Sequence, residues 1–224
     1  MRLRLSIAYG LILGSVLAGP ALAVEPYAPE RLITRADAVR IIVQDRLGKP
    51  FRNETDYEKA EHGALVEFYA DNSNGTVWVD ENGLKPNARL VIEELRSAAD
   101  YGLNPNNYDL PEEIVLSSSD STPAARLAEF EFKMSHAALA YARHARGGRM
   151  APGAISYNLD PTLDLPDPLE VMEKLATLDD PAPYLRSFNP KHPQFEALRQ
   201  ALLRIRGGSS GKKRIKAGDR REVV

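Results

Sequence analysis

Residues 122–153 read TPAARLAEFEFKMSHAALAYARHARGGRMAPG, and this stretch decides the fold class. Thr122 before Pro123 predicts a helix start. A threonine oxygen caps an early backbone N–H, and proline has no N–H to leave unmade at the first helical position. Leu127, Phe130, Met134, Ala137, Ala138 and Tyr141 then share one face, an apolar stripe along about six turns of helix. Gly147 and Gly148 close the helix, since glycine adopts the left-handed conformation of a helix end. Arg143, His144, Arg146 and Arg149 place positive charge at the negative end of the helix dipole. The small residues Ser135, Ala137, Ala138, Ala140 and Ala142 let neighbours approach closely. The expectation is a central post on which other helices pack.

Working outward, the flanking segments are also helical. Thr34 to Leu47 has a cap at Thr34, Asp37 three places on, and Val39, Ile42, Val43 and Leu47 at helical spacing before Gly48 and Pro50. Glu54 to Ala70 puts Tyr57, Ala60, Ala64, Leu65 and Phe68 on one side. Thr76-Val77-Trp78-Val79 is the one strand-like run, between Asn74-Gly75 and Asn82-Gly83. Four residues alone make no sheet, so an extended connector that plants Trp78 in the core is expected. Asn87 to Tyr101 is a helix with Leu90, Val91, Ile92, Leu95 and Ala98 inward, and Leu103 to Tyr108 is a turn. Ser117 to Ser121 is a loop, and Ser156 to Pro166 an irregular wrap. Asp167-Pro168-Leu169-Glu170 starts another helix, with Val171, Met172 and Leu175 on its buried side, ended by Asp179 to Pro183. The last begins at Pro193 with Phe195, Leu198, Leu202 and Ile205 as its stripe. The fold class is therefore all-α: an irregular multi-helix domain around one long central helix, with a short extended segment near Trp78.

Composition bounds the chemistry. The 224 residues are 43% hydrophobic and 27% charged, enough apolar material for one domain with tails. Cysteine is absent, which excludes disulfides, thiolate metal sites and a cysteine nucleophile within these residues. Residues 1–23 read as a secretory signal peptide, with Arg2 and Arg4, an apolar run from Leu5 to Ala18, and Ala21-Leu22-Ala23 at the cleavage point. The domain is expected over residues 24–206 and a basic linker over 207–224. Residues 24–203 hold 19 Lys and Arg against 29 Asp and Glu, whereas residues 204–224 hold 8 against 2. The body is acidic and the tail basic, and GGSSGKKRIKAGDRR has the composition of a solvated linker rather than a nucleic-acid arm. Asn53-Glu54-Thr55 and Asn74-Gly75-Thr76 match a glycosylation acceptor pattern that matters only in a eukaryotic secretory pathway.

The search for catalytic, cofactor-binding and metal-binding residues assigns none in any of the three classes. His136 and His144 lie eight apart on the central helix, too far along its axis to share an ion without a third ligand, and read as surface or capping residues. Asp71, Ser73 and Gly75 lack the acids that a calcium loop needs at its third and twelfth positions. Glu93-Glu94, Glu129 with Glu131, and Asp179-Asp180 read as solvated charge rather than as glycosidase carboxylates. No H-E-x-x-H or phosphate-binding glycine loop is present.

Several runs, in order, carry a family resemblance. Phe68-Tyr69-Ala70, Thr76-Val77-Trp78-Val79-Asp80, Asn87-Ala88-Arg89, Asp100-Tyr101-Gly102-Leu103 and Pro105-Asn106-Asn107-Tyr108 together resemble the opening of the large bacterial L,D-transpeptidases. Tyr141-Ala142-Arg143 through Gly148-Arg149-Met150-Ala151-Pro152 is similar to that family's helix ending in G-R-[hydrophobic]-x-P. Met150-Ala151 departs from it, standing where an aliphatic residue followed by Asp is common. Ser187-Phe188-Asn189-Pro190 with His192-Pro193-Gln194-Phe195 and Ala197-Leu198 resembles the segment closing the region. The resemblance covers residues 60–206 and is to the non-catalytic, all-helical scaffold domain.

It implies periplasmic work on peptidoglycan, where such enzymes join stem peptides by 3→3 links through a cysteine acyl-enzyme in a β-rich domain that follows the scaffold. The tail from Ile215 to Val224 resembles the beginning of that following segment. Two functions compete. The first is a non-catalytic module of cell-wall cross-linking whose partner is peptidoglycan or a cell-wall catalytic domain, with no nucleic acid, no stable membrane anchor after signal cleavage, no cofactor and no activity alone. The second is a periplasmic carboxylate enzyme, such as a glycan-cleaving protein, which requires two carboxylates about 5 to 9.5 Å apart across one cleft.

Overall fold

The computed structural model describes residues 33–49, 55–71, 73–111, 122–150 and 163–208. The readings of residues 1–23, of Asn53-Glu54, of Ser117 to Ser121, of 156–162 and of the tail beyond 208 lie outside the described residues. The helices in chain order are α1 (Arg35–Leu47), α2 (Asp56–Ala70), α3 (Pro86–Arg96), α4 (Pro123–Ala145), α5 (Pro168–Thr177), α6 (Ala182–Arg186) and α7 (Pro193–Gly208). Between α2 and α3 lie two short strands, β1 (Val79–Asp80) and β2 (Gly83–Leu84). The fold is all-α around one long helix, as the periodicity predicts.

The post α4 is more enclosed than one stripe implies, with 14 of its 23 residues buried, among them Glu131, Ser135 and Arg143. A helix buried on most of its circumference needs neighbours on several sides, and α1, α2, α3, α5 and α6 all pack on it. Its start differs from the expectation. Pro123 takes the first helical position, but the Thr122 side chain makes no cap bond to the first turn. Its end is as read: Gly147 N–H donates to His144 O and Gly148 N–H to Arg143 O, the paired bonds of a left-handed helix stop. Gly147 supplies the positive φ of 99° that this closure requires.

Local caps explain three of the other helix starts. Thr34 and Asp37 form a reciprocal capping box on α1. The second helix starts two residues later than the periodicity suggests, because Thr55 and Glu58 form the same box. Asp167 accepts from Leu169 N–H and Glu170 N–H ahead of Pro168, as expected. The third helix stops at Arg96 and tightens into a 3-10 turn, Ser97–Tyr101, rather than continuing regularly.

Two expectations are corrected. The extended run is not a lone connector: Val79 pairs with Leu84 and Asp80 with Gly83 in a minimal antiparallel hairpin. Asp80 Oδ1 accepts from the N–H groups of Asn82 and Gly83, so the turn is closed by its own first residue. The second correction concerns α7, whose stripe is not buried: Leu198 and Ile205 are each 71% exposed. That helix is tied to the 3-10 turn instead by Arg206 on Asp100 at 2.7 Å and Arg199 over the Tyr101 ring. Among the described residues no helix is long and apolar enough to cross a membrane.

Trp78 is wholly buried, as are Phe68, Tyr69, Phe130 and Tyr141, and it anchors the hairpin in the core. Trp78→Ala is expected to cost about 3–5 kcal/mol in urea unfolding, the usual range for removing a large enclosed aromatic. The native protein should show the blue-shifted indole emission of a dry site.

Candidate functional site

The most concentrated polar chemistry in the core belongs to Glu131, which is 0% exposed. Its carboxylate accepts from Val77 N–H at 2.5 Å, Trp78 N–H at 2.9 Å and Tyr69 O–H at 2.8 Å. One helical turn on, Ser135 Oγ accepts from Trp78 Nε1 at 2.9 Å and donates to Glu131 O. Burial raises the Glu131 pKa against the lowering effect of the Val77, Tyr69 and Trp78 donors. Burial, then the Glu131 charge, pushes Tyr69 well above its ordinary value, so Tyr69 stays a neutral donor. The reading of Glu131 as solvated charge is therefore wrong. Neighbouring positions on a helix do face differently, but the face occupied by Glu131 is covered by a segment more than fifty residues away in sequence. Glu129 does lie near the surface, beside Lys133 and Arg46.

Glu94 corrects the Glu93-Glu94 reading in the same way. It is 3% exposed and accepts from Arg186 Nε at 3.1 Å, Arg186 Nη2 at 2.5 Å and Tyr141 O–H at 3.1 Å. Asn189 Nδ2 donates to the Tyr141 oxygen from the other side. This knot joins α3, α4 and α6. Asp179 and Asp180 are exposed as expected, and Asp180 accepts from Ala182 N–H at the start of α6.

A third buried glutamate sits at the C-terminal end of α4. Arg143 Nε donates to Glu61 Oε1 at 2.6 Å, and Arg143 Nη1 donates to Gly148 O at 2.9 Å. Burial raises the Glu61 pKa, and Arg143 opposes that rise. Gly148 is required here by space: a Cβ would lie 2.7 Å from Arg143 Cγ and from Leu165 Cδ2. Arg143 is thus a buried ion-pair partner more than a dipole charge. On one side of this pair lies an apolar cavity of 170 Å³ lined by Tyr57, Leu139, Leu165, Pro168 and Val171. On the other opens a 690 Å³ cleft between the first turn of α2, with Asp56 and Glu58, and the end of α4, with His144 and Arg149.

His136 and His144 are half-buried, which replaces the surface reading. His136 packs on Phe132 and His62 with ring centroids 4.5 and 6.0 Å away. His144 lies 5.6 Å from the Tyr108 ring. Desolvation lowers both histidines to about 4, with His62 and Arg46 adding to the effect at His136, and Arg143 and Arg149 at His144. Both are therefore neutral at pH 7. Among the described residues no group of three or more His, Cys, Asp or Glu side chains is placed to hold a metal ion. Asp71 accepts from the N–H and O–H of Ser73, a local turn rather than a calcium loop.

The carboxylate-enzyme reading needs an acid with a raised pKa facing a second carboxylate across a cleft. Glu94 and Glu131 line none of the cavities at the ends of α2 and α4, and Glu61 is neutralised by Arg143. On the open cleft, Lys59 holds Asp56 below its ordinary pKa and the Thr55 backbone does so for Glu58. Neither is poised to donate a proton near neutral pH.

A family model described as Scaffold domain matches residues 63–202, more than half of the chain. No curated protein and no solved structure matches it.

Glu131→Ala is expected to strand two buried N–H groups at about 1–3 kcal/mol each. Hydrogen exchange should speed up first at the amides of Val77 and Trp78. The histidines give a pH dependence of known sign. Their folded pKa values of about 4 lie below the unperturbed 6.5, so the unfolded chain takes up protons that the fold refuses. Their contribution to stability is complete above pH 6.5 and is lost as pH falls through about 4. Glu61 and Glu131, raised by burial, act in the opposite sense. The difference in Tm between wild type and His136→Gln, followed from pH 7 to pH 4, should therefore narrow as the pH drops.

Proposed function

We propose that this chain, which belongs to the Scaffold domain family, is the non-catalytic supporting module of a periplasmic peptidoglycan L,D-transpeptidase. The observation that carries the reading is where the resembling residues stand. Tyr69, Val77 and Trp78 form the clamp on Glu131. Asn87 donates to Val77 O. Tyr108 packs on Tyr141, and Asn189 donates to it. Gly148 allows Arg143 and Leu165 to close together. The pattern shared with the family is thus a pattern of structural support.

Chemistry agrees with that assignment. Exchange of a peptide bond needs an activated nucleophile and donors for the developing oxyanion. The 224 residues contain no cysteine, and the buried carboxylates Glu61, Glu94 and Glu131 are each held by structural partners. In this reading the thiolate and the oxyanion hole come from a separate catalytic domain, and the helical module holds that domain at the wall. In this reading residues 1–23 direct the chain to the periplasm.

Purified chain incubated with tetrapeptide-containing muropeptides should yield no 3→3 dimers, whereas its fusion to an L,D-transpeptidase catalytic domain should yield them. Dimers from the isolated chain would overturn the non-catalytic assignment. Mass spectrometry of periplasmic protein is expected to give an N-terminus at Val24, and an intact Met1 on membrane-bound protein would count against export with cleavage.

A further inference from the structure

The 690 Å³ cleft at the junction of α2 and α4 is not accounted for by a supporting role. Its size is that of a small-ligand site, and a few converging polar groups are what distinguish such a site from a packing defect. Arg149 lines it, and no hydrogen bond or ion pair of Arg149 is found among the described residues. His144 lines it too, and its Nδ1 is buried without a hydrogen-bond partner. Tyr108, its ring tilted against His144 with centroids 5.6 Å apart, is 3% exposed, and its buried hydroxyl is also unpartnered. A buried polar atom left without a partner costs about 1–3 kcal/mol, and His144 shares the cleft wall with the Arg149 guanidinium, an arrangement suited to a polar group that arrives from outside. Asn107, also on the wall, supplies an amide.

The charge distribution narrows the ligand. A guanidinium, an amide and a neutral imidazole suit a planar carboxylate. Asp56 and Glu58 stand on the opposite wall, where they repel a doubly charged phosphate and attract an ammonium. Tyr57, Ala140 and Met150 give the space between an apolar lining for side chains. We propose that this cleft binds a short peptide with free ends, its terminal carboxylate at Arg149, Asn107 and His144 and its ammonium at the Asp56 and Glu58 edge. The Arg143–Glu61 pair beneath is already satisfied and acts as the rigid floor.

The test uses the mature chain and trialanine as probe, with binding read by calorimetry and by amide shifts of Asn107, His144 and Arg149. Trialanine should bind, amidation of its carboxylate should weaken binding at least tenfold, and N-acetylation should weaken it less. Arg149→Ala should give the same loss as amidation with an unchanged Tm, because Arg149 makes no hydrogen bond or ion pair among the described residues, and Arg149→Lys should recover part of it. No detectable binding of trialanine, equal binding of its amide, or tighter binding of inorganic phosphate would each overturn the proposal. Such a failure is separable from failure of the supporting role, which is read by dimer formation in the fusion and does not involve trialanine.

Discussion

A carboxylate removed from water has to be met by donors, and in this molecule the donors for Glu131 are main-chain N–H groups of a segment with no regular structure of its own. A two-residue hairpin cannot hold itself together. It is held because Val77 and Trp78 have nowhere else to place their N–H groups once the Trp78 ring is buried, and Glu131 receives both. Ser135 takes the indole N–H from the same helix face. The apolar and polar halves of the Trp78 anchor thus depend on one another: the ring excludes water from the carboxylate, and the carboxylate fixes the backbone that presents the ring.

The same device appears twice more. Glu94 collects Arg186 and Tyr141, and Glu61 collects Arg143. Each knot ends on α4, each lies at a different height along it, and together they index α2, α3, α6 and the hairpin against the post. Apolar packing alone would tolerate sliding between helices rich in alanine. A buried ion or hydrogen-bond pair does not, because any shift leaves charge without a partner. Rigidity of this kind suits a module whose work is to hold something else in position.

The ends of the molecule contrast with that interior. At the C-terminal end of α4 the knot around Arg143 borders a cleft lined by Arg149, His144 and Asn107. At α7 the apolar residues Leu198 and Ile205 remain in solvent.

The sequence by itself determined the helices, most of their caps and the central position of the helix α4. Capping boxes, first-turn prolines and a glycine stop act within five residues, so the local chain contains the whole interaction. Burial of Trp78 was legible for a related reason, since a single large ring between valines and turn residues has few other places to go. What sequence could not settle was the state of Glu94 and Glu131, the half-burial of His136 and His144, and the open face of α7. Solvation of a charge depends on which distant segment covers it, and those segments lie more than forty residues away. The pattern E-x-x-x-S in a helix facing a lone tryptophan was the one local trace of the Glu131 clamp. Only the tertiary structure decided that the trace was real, because a glutamate at the surface and a glutamate under a hairpin look the same until the hairpin is placed.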